Sequence, residues 1–178
     1  MRVDQIFEQA KAAGAQPVSF EMFPPKGEMT LERAREVAGS FSQLNPDFIS
    51  VTYSAGGSGN NGATTKIAQM IDADFGIPSV AHLTCISLKR ADLLAKIDEM
   101  RAAGIQNVLA LRGDVPQGAP TGPGCADYRY AKDIIPHLVD AGFCVGAAAY
   151  PEGHIECDDL ELSVRQLKEK QDAGASFL

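Results

Sequence analysis

The sequence predicts an α/β chain of parallel strands: the first five βα units of a (β/α)8 TIM barrel and the start of a sixth strand. Three observations carry that reading. Helix-ending signals recur about every thirty residues, a short apolar run follows each of them, and every run finishes in polar side chains.

The stops come first. Gly14, Gly76, Gly104, Gly142 and Gly174 each close a helical stretch; four follow Ala, and all five precede an apolar residue. A glycine enters the left-handed region without a Cβ penalty, so it ends a helix, and the apolar residue after it packs back on the last turn. Asn45-Pro46 does the same work, because Asn tolerates that conformation and Pro blocks continuation. The stops at 14, 45, 76, 104, 142 and 174 are 31, 31, 28, 38 and 32 residues apart. The runs behind them, 17–23, 47–53, 79–85, 107–111 and 143–150, read as strands, and a sixth begins at Ser176-Phe177-Leu178. Between them lie amphipathic stretches at helical spacing, such as Leu93/Ile97/Met100 and Leu160/Val164/Leu167. Strand–helix alternation at this period marks βα units and a parallel sheet. No linker or low-complexity run divides residues 1–178, which read as one domain.

Two architectures share that alternation. Gly57-Ser58-Gly59-Asn60-Asn61-Gly62 spells G-x-G-x-x-G, with Asp72 and Asp74 downstream, and so offers a dinucleotide fingerprint. A glycine-rich turn is the plainer reading, since the motif sits in the second βα unit and begins several residues beyond the strand. The strand ends discriminate better. Glu21, Thr52, His82 with Thr84, Arg112 with Asp114, and Tyr150 with Glu152 and His154 decorate all five. An open sheet gathers its ligand at one switch point, whereas a barrel converges every C-terminal end on one mouth. A complete barrel needs about 250 residues, so this sequence reads as its N-terminal portion, truncated at the C-terminus.

Composition narrows the partners. The formal charge is −7 and the pI about 4.9, which argues against nucleic acid or an anionic membrane, because both require a basic face. Four cysteines at 85, 125, 144 and 157 contain no C-x-x-C; zinc and iron–sulfur sites are not expected. His82 and His154 lie on different strands without a carboxylate partner motif, so no metal is expected there either. The N-terminus lacks an apolar signal region and no run suffices to span a bilayer. A reduced, cytoplasmic protein follows as the expectation. Met22, Met70 and Met100 read as core, and His137 as an ordinary helix residue.

The strand-end segments together resemble methylenetetrahydrofolate reductase. They are Val18-Ser19-Phe20-Glu21-Met22-Phe23-Pro24-Pro25, Val51-Thr52-Tyr53, Ala81-His82-Leu83-Thr84-Cys85, Leu109-Ala110-Leu111-Arg112-Gly113-Asp114, Ala149-Tyr150-Pro151-Glu152-Gly153-His154 and 167–175, in the family's order. The resemblance implies a barrel with non-covalent FAD that takes reducing equivalents from NADH or NADPH. It also implies reduction of 5,10-methylenetetrahydrofolate to 5-methyltetrahydrofolate, within one-carbon and methionine metabolism.

Site residues follow from that resemblance. Opening the methylene-bridged ring requires a proton on the departing nitrogen, which suits a carboxylic acid of raised pKa. Glu21 stands among Phe20, Met22, Phe23 and two prolines, a setting that disfavours the ionised form. From the residues alone, a general acid and a strand-end carboxylate paired with a lysine are equally good; the resemblance selects the acid. It places Asp114 beside flavin and folate, where a fixed negative charge stabilises a cationic iminium. It assigns FAD contacts to Thr52, Tyr53, Ala55, His82, Arg112, Gly113, Asp114, Tyr130, Ala131, Tyr150, His154 and Lys170. Arg112 and Lys170 suit the phosphates. Glu21, Thr52 and Asp114 contact substrate, and Thr52 also meets the nicotinamide.

Glu169 and Ser163 depart from the family pattern, which touches the adenosine side. Residues 118–127 read as a surface loop. Two unpaired sheet edges favour a homo-oligomer. The alternatives are a non-catalytic barrel fragment or subunit, another flavin-barrel oxidoreductase of the proline-dehydrogenase kind, and a nucleotide-binding open sheet built on the Gly57 loop.

Overall fold

The computed structural model describes residues 1–24, 31–53, 62–114, 126–154 and 157–178. Eleven elements alternate: α1 (Val3–Ala13), β1 (Ser19–Met22), α2 (Leu31–Ser42), β2 (Phe48–Val51), α3 (Ala63–Phe75), β3 (Ser79–Thr84), α4 (Arg90–Ala102), β4 (Asn107–Leu111), α5 (Ala131–Asp140), β5 (Cys144–Ala147) and α6 (Leu160–Asp172). All five predicted strands form, each within its predicted run, and β4 matches its run end to end. The glycine stops lie in the left-handed region, with φ from 64° at Gly14 to 112° at Gly174, and Asn45 joins them at 51°.

The sheet is parallel throughout, in the order β1-β2-β3-β4-β5. Sequential order without a reversal lacks the switch point of a doubly wound sheet and is the order of a barrel wall. That decides between the two architectures. Of the glycine-rich motif, residues 57–61 lie outside the described residues, and Gly62 directly precedes α3.

Alternation along the strands separates two packed faces. On the outer face Met22, Val51, Leu83, Val108 and Val145 pack under the helices with Ile67, Ile71, Leu93, Ile97, Met100, Ile134 and Leu138. On the inner face Val80 and Cys144 meet Val3 and Ile6, so α1 plugs the N-terminal end of the sheet; Phe7, Phe48, Leu109 and Phe177 complete that plug. Asn107, buried at the start of β4, holds α1 in place. Its Oδ1 accepts from Val3 N at 2.8 Å, while its Nδ2 donates to Ser79 O at 2.9 Å and to Met1 O at 3.1 Å. The sixth strand starts where expected: Phe177 bridges Gly146 in parallel, and Ser176 N donates to Val145 O at 2.7 Å.

One helical expectation fails. The stripe Leu93/Ile97/Met100 is buried, but Leu160 and Val164 of α6 are 60% and 57% exposed, while Ser163 is buried. Periodicity identifies an apolar stripe without saying which neighbour it meets. Here α6 turns its Ser163 side inward and rests on α5. Among the described residues, no helix is long and apolar enough to cross a membrane.

Candidate active site

The C-terminal ends of β3, β4 and β5 open onto a cleft of about 320 Å³, floored by Thr84, Ala110, Leu111 and Ala148 and rimmed by α5 and α6. Nine predicted residues line it: Tyr53, Arg112, Gly113, Asp114, Tyr130, Ala131, Tyr150, His154 and Lys170. Local structure aims each of them. Gly113, with φ of 85°, lets β4 turn so that Arg112 and Asp114 flank the opening. Arg112 Nε donates to Gly113 O at 3.2 Å. Asp133 stands in the first turn of α5 and accepts from the backbone N–H groups of Arg129 and Tyr130, both at 2.8 Å, which fixes Tyr130 at the rim. Tyr150 adopts φ of 50° immediately before Pro151. That conformation is strained for a bulky residue, of the kind that concentrates at working sites. Its ring meets His154 edge to face at 4.9 Å.

Lys170 projects from the last turn of α6 over the cleft. Its Nζ donates to Ala148 O at 2.7 Å and lies 5.7 Å from the Tyr150 ring centre. Burial holds its ammonium below the usual lysine range, because the charged form loses hydration. An anion in the cleft would repay that loss. Arg112 and Lys170 together therefore fit a phosphate-bearing cofactor such as FAD, with aromatic surface supplied by Tyr130 and Tyr150.

Glu21, His82 and Thr52 do not line this cleft. Glu21 stands opposite Ser50 in the sheet register, and Ser50 pairs with Val80. These residues lie on the inner face, where continuing the register sets Thr52 beside His82. Glu21 Oε2 is 3.6 Å from His82 Nε2 and accepts from Ser50 Oγ at 3.4 Å. Thr64 Oγ1 donates to Thr52 O at 2.9 Å, which anchors the end of β2 to α3. His82 is 5% exposed, and its Nε2 is buried without a hydrogen-bond partner among the described residues. Burial pushes the imidazole down to about 4. It is neutral at pH 7, and its contact with Glu21 is not an ion pair.

Among the described residues, Glu21 and His82 share the inner face, the 112–114 turn lines the cleft, and Thr84, which follows His82 by two on the same face and also lines the cleft, joins them. The sequence reading is corrected on one point: the apolar surroundings expected for Glu21 are not met. Phe20 and Met22 point to the opposite face of the strand, as alternation requires, and the Glu21 side chain is 49% exposed. Ala55 lies outside the described residues.

Three polar participants escaped the sequence reading: Ser50 beside Glu21, and Cys157 and Gln166 in the cleft. Gln166 was legible as one helical turn before Lys170, and Thr84, named among the strand-end polar groups, carried no assigned role. Ser50 required the strand register. Glu169, which departs from the family pattern, pairs with Lys132 at 2.6 Å and ties α6 to α5 beside the cleft. A larger groove of about 700 Å³ at the N-terminal end is lined by α1, Asp47, Asp72 and Asn107. It lies opposite the face where barrels carry their chemistry.

Solved structures with this architecture include phosphonopyruvate hydrolase (TM-score 0.64, 15% identity, 98% of this chain and 61% of that one). Phosphoenolpyruvate phosphomutase from Streptomyces platensis subsp. rosaceus is another (TM-score 0.61, 18% identity, 98% and 62%). At these identities they establish the fold alone. In sequence, the chain is 37% identical to the 5,10-methylenetetrahydrofolate reductase of Pectobacterium carotovorum, over 94% of its own length and 54% of the relative's. It is 35% identical to that of Escherichia coli, over 94% and 55%, and 33% identical to methylenetetrahydrofolate reductase 1 of Schizosaccharomyces pombe, over 90% and 27%. The chain thus spans about half the length of the bacterial relatives and about a quarter of the yeast one. The family model for methylenetetrahydrofolate reductase matches residues 6–178, nearly the whole chain, and with it the cleft and the Glu21 face: the chain belongs to the methylenetetrahydrofolate reductase family.

Proposed function

We propose that the chain supplies the flavin-holding wall and the proton donor of a reductase acting on 5,10-methylenetetrahydrofolate, with NADH or NADPH as the source of reducing equivalents. The observation that carries this reading is the cleft at the strand ends, where Arg112, Lys170, Tyr130 and Tyr150 surround a space adjoining the face that bears Glu21.

Non-covalent FAD bound there supplies the two-electron transfer between nicotinamide and folate. Arg112 and Lys170 neutralise its phosphates, and Tyr130, Tyr150 and His154 give it apolar and edge contacts. Thr52, at the end of β2, approaches the nicotinamide and the folate. Glu21 delivers a proton to the nitrogen that leaves when the methylene-bridged ring opens. Asp114, exposed at the mouth, offers a fixed negative charge to the cationic iminium so produced. Association with a second copy belongs to the same proposal. A cytoplasmic setting and a place in methionine-directed one-carbon metabolism belong to the same proposal and rest on the family.

The test is spectroscopic. Purified protein should carry flavin absorbance, bleach anaerobically with NADH or NADPH, and recover colour on addition of methylenetetrahydrofolate. Protein that takes up no flavin, or bleaches without recovering, counts against the reading.

A further inference from the structure

Glu21 presents its two oxygens unequally. Oε2 takes both contacts, Ser50 Oγ at 3.4 Å and His82 Nε2 at 3.6 Å, and Oε1 takes neither. A carboxylate oxygen has two lone pairs and accommodates two donors. Both distances exceed a tight hydrogen bond of about 2.7–2.9 Å, as catalytic contacts do before substrate closes on them. The Nε2 of His82, without a hydrogen-bond partner among the described residues, lies 3.6 Å from Glu21 Oε2 across the sheet. A buried ring nitrogen without a partner costs free energy, and pairing with Oε2 removes that cost.

We propose that His82 is a positioning residue for Glu21: its ring carries hydrogen on Nε2 and, with Ser50, anchors Oε2, leaving Oε1 as the oxygen that passes the proton to substrate. This rests on the reading of Glu21 as the general acid. A neutral donor suits the task. It holds the carboxylate without adding a positive charge, which would favour the ionised form and deplete the protonated carboxyl that delivers the proton. His82 stays neutral because it is buried, and its Nε2 edge meets Glu21 Oε2, which Ser50 Oγ also approaches. An apolar side chain at 82 would release Oε2, and the carboxyl would then rotate between equivalent oxygens.

The experiment is nitrogen-15 NMR of the histidines in the intact chain at pH 7, together with carbon-13 titration of the Glu21 carboxyl. The expected tautomer has Nε2 protonated, with its resonance moving in Glu21→Gln and in Ser50→Ala. In His82→Leu the Glu21 midpoint should rise by up to about one pH unit, the loss expected for one hydrogen bond to the ionised form. His82→Gln, which restores an N–H donor, should bring it back. An unprotonated Nε2 at pH 7, or equal Glu21 midpoints in wild type and His82→Leu, overturns the proposal. If the Leu variant does not fold, the wild-type tautomer alone decides. Neither readout needs flavin or folate. An intact tautomer in a protein without turnover would count against the reductase reading and leave this one standing.

Discussion

Thr84 Cβ lies 2.9 Å from the point where a Cβ on Gly113 would stand, and Gly113 holds φ of 85°. The residue joining the Glu21 face to the cleft is thus packed directly on the turn that aims Arg112 and Asp114. Gly113→Ala should destabilise the fold by about 1–3 kcal/mol, through left-handed strain and overpacking together. Denaturant midpoints check this. Thr84→Ala in the same background should recover only a small part, since the φ and the Cβ contact both persist.

His82 makes stability depend on acid. Its folded value of about 4 lies below the ordinary 6.5, so between those limits the unfolded chain binds a proton that the folded chain refuses. Stability is unaffected by this group above pH 6.5, falls as pH drops from 6.5 toward 4, and levels off below. The whole effect is on the order of 3 kcal/mol. His82→Gln should flatten that slope in urea melts taken across the range. An unchanged slope would mean that the imidazole is not buried in neutral form.

Glu21→Gln separates the two half-reactions. Proton delivery by a positioned acid contributes about 100-fold to 10,000-fold, so stopped-flow reoxidation by methylenetetrahydrofolate should slow by at least about 100-fold. Anaerobic bleaching by NADH or NADPH should be nearly unchanged. Equal loss in both half-reactions would remove Glu21 from the role of acid.

Lys170→Met should weaken flavin binding by about tenfold or more, as expected for losing one charge-assisted contact to phosphate. Fluorescence titration with FAD measures it. Because Nζ also holds Ala148 O, circular dichroism should confirm that β5 is intact before the affinity is interpreted.

Gly146 meets the ring of Phe177 so closely that a Cβ there would overlap it. Gly146→Ala should cost about 1–3 kcal/mol by thermal or chemical denaturation. Phe177→Leu should relieve much of that in the double variant, because the clash is with the ring edge. Additive effects would show that the sixth strand start is not seated on β5.

The strand runs were legible because a buried parallel strand leaves an apolar segment between a helix stop and a polar end, and both borders are local chemistry. Arg112, Asp114, Tyr150 and His154 were legible for the same reason, as polar groups at strand ends, whereas Tyr130, Ala131 and Lys170 at α5 and α6 were named through the family resemblance. Two things were not legible. The stripe Leu160/Val164 has helical spacing, but its exposure depends on what packs against α6, and spacing carries no neighbour. The apolar flanks of Glu21 are adjacent in the chain yet point away from it, because pleating sends successive side chains to opposite faces.

The sequence by itself determined the period and the parallel βα units, because each depends on residue type at a local spacing, and its resemblance to the family named nine of the fifteen residues that line the cleft. Tertiary structure decided which carboxylate oxygen Ser50 and His82 approach, that Glu21 and the 112–114 turn occupy adjoining regions bridged by Thr84, and that burial leaves His82 neutral. Those depend on strand register and on exclusion of water, and neither exists until strands about thirty residues apart lie side by side.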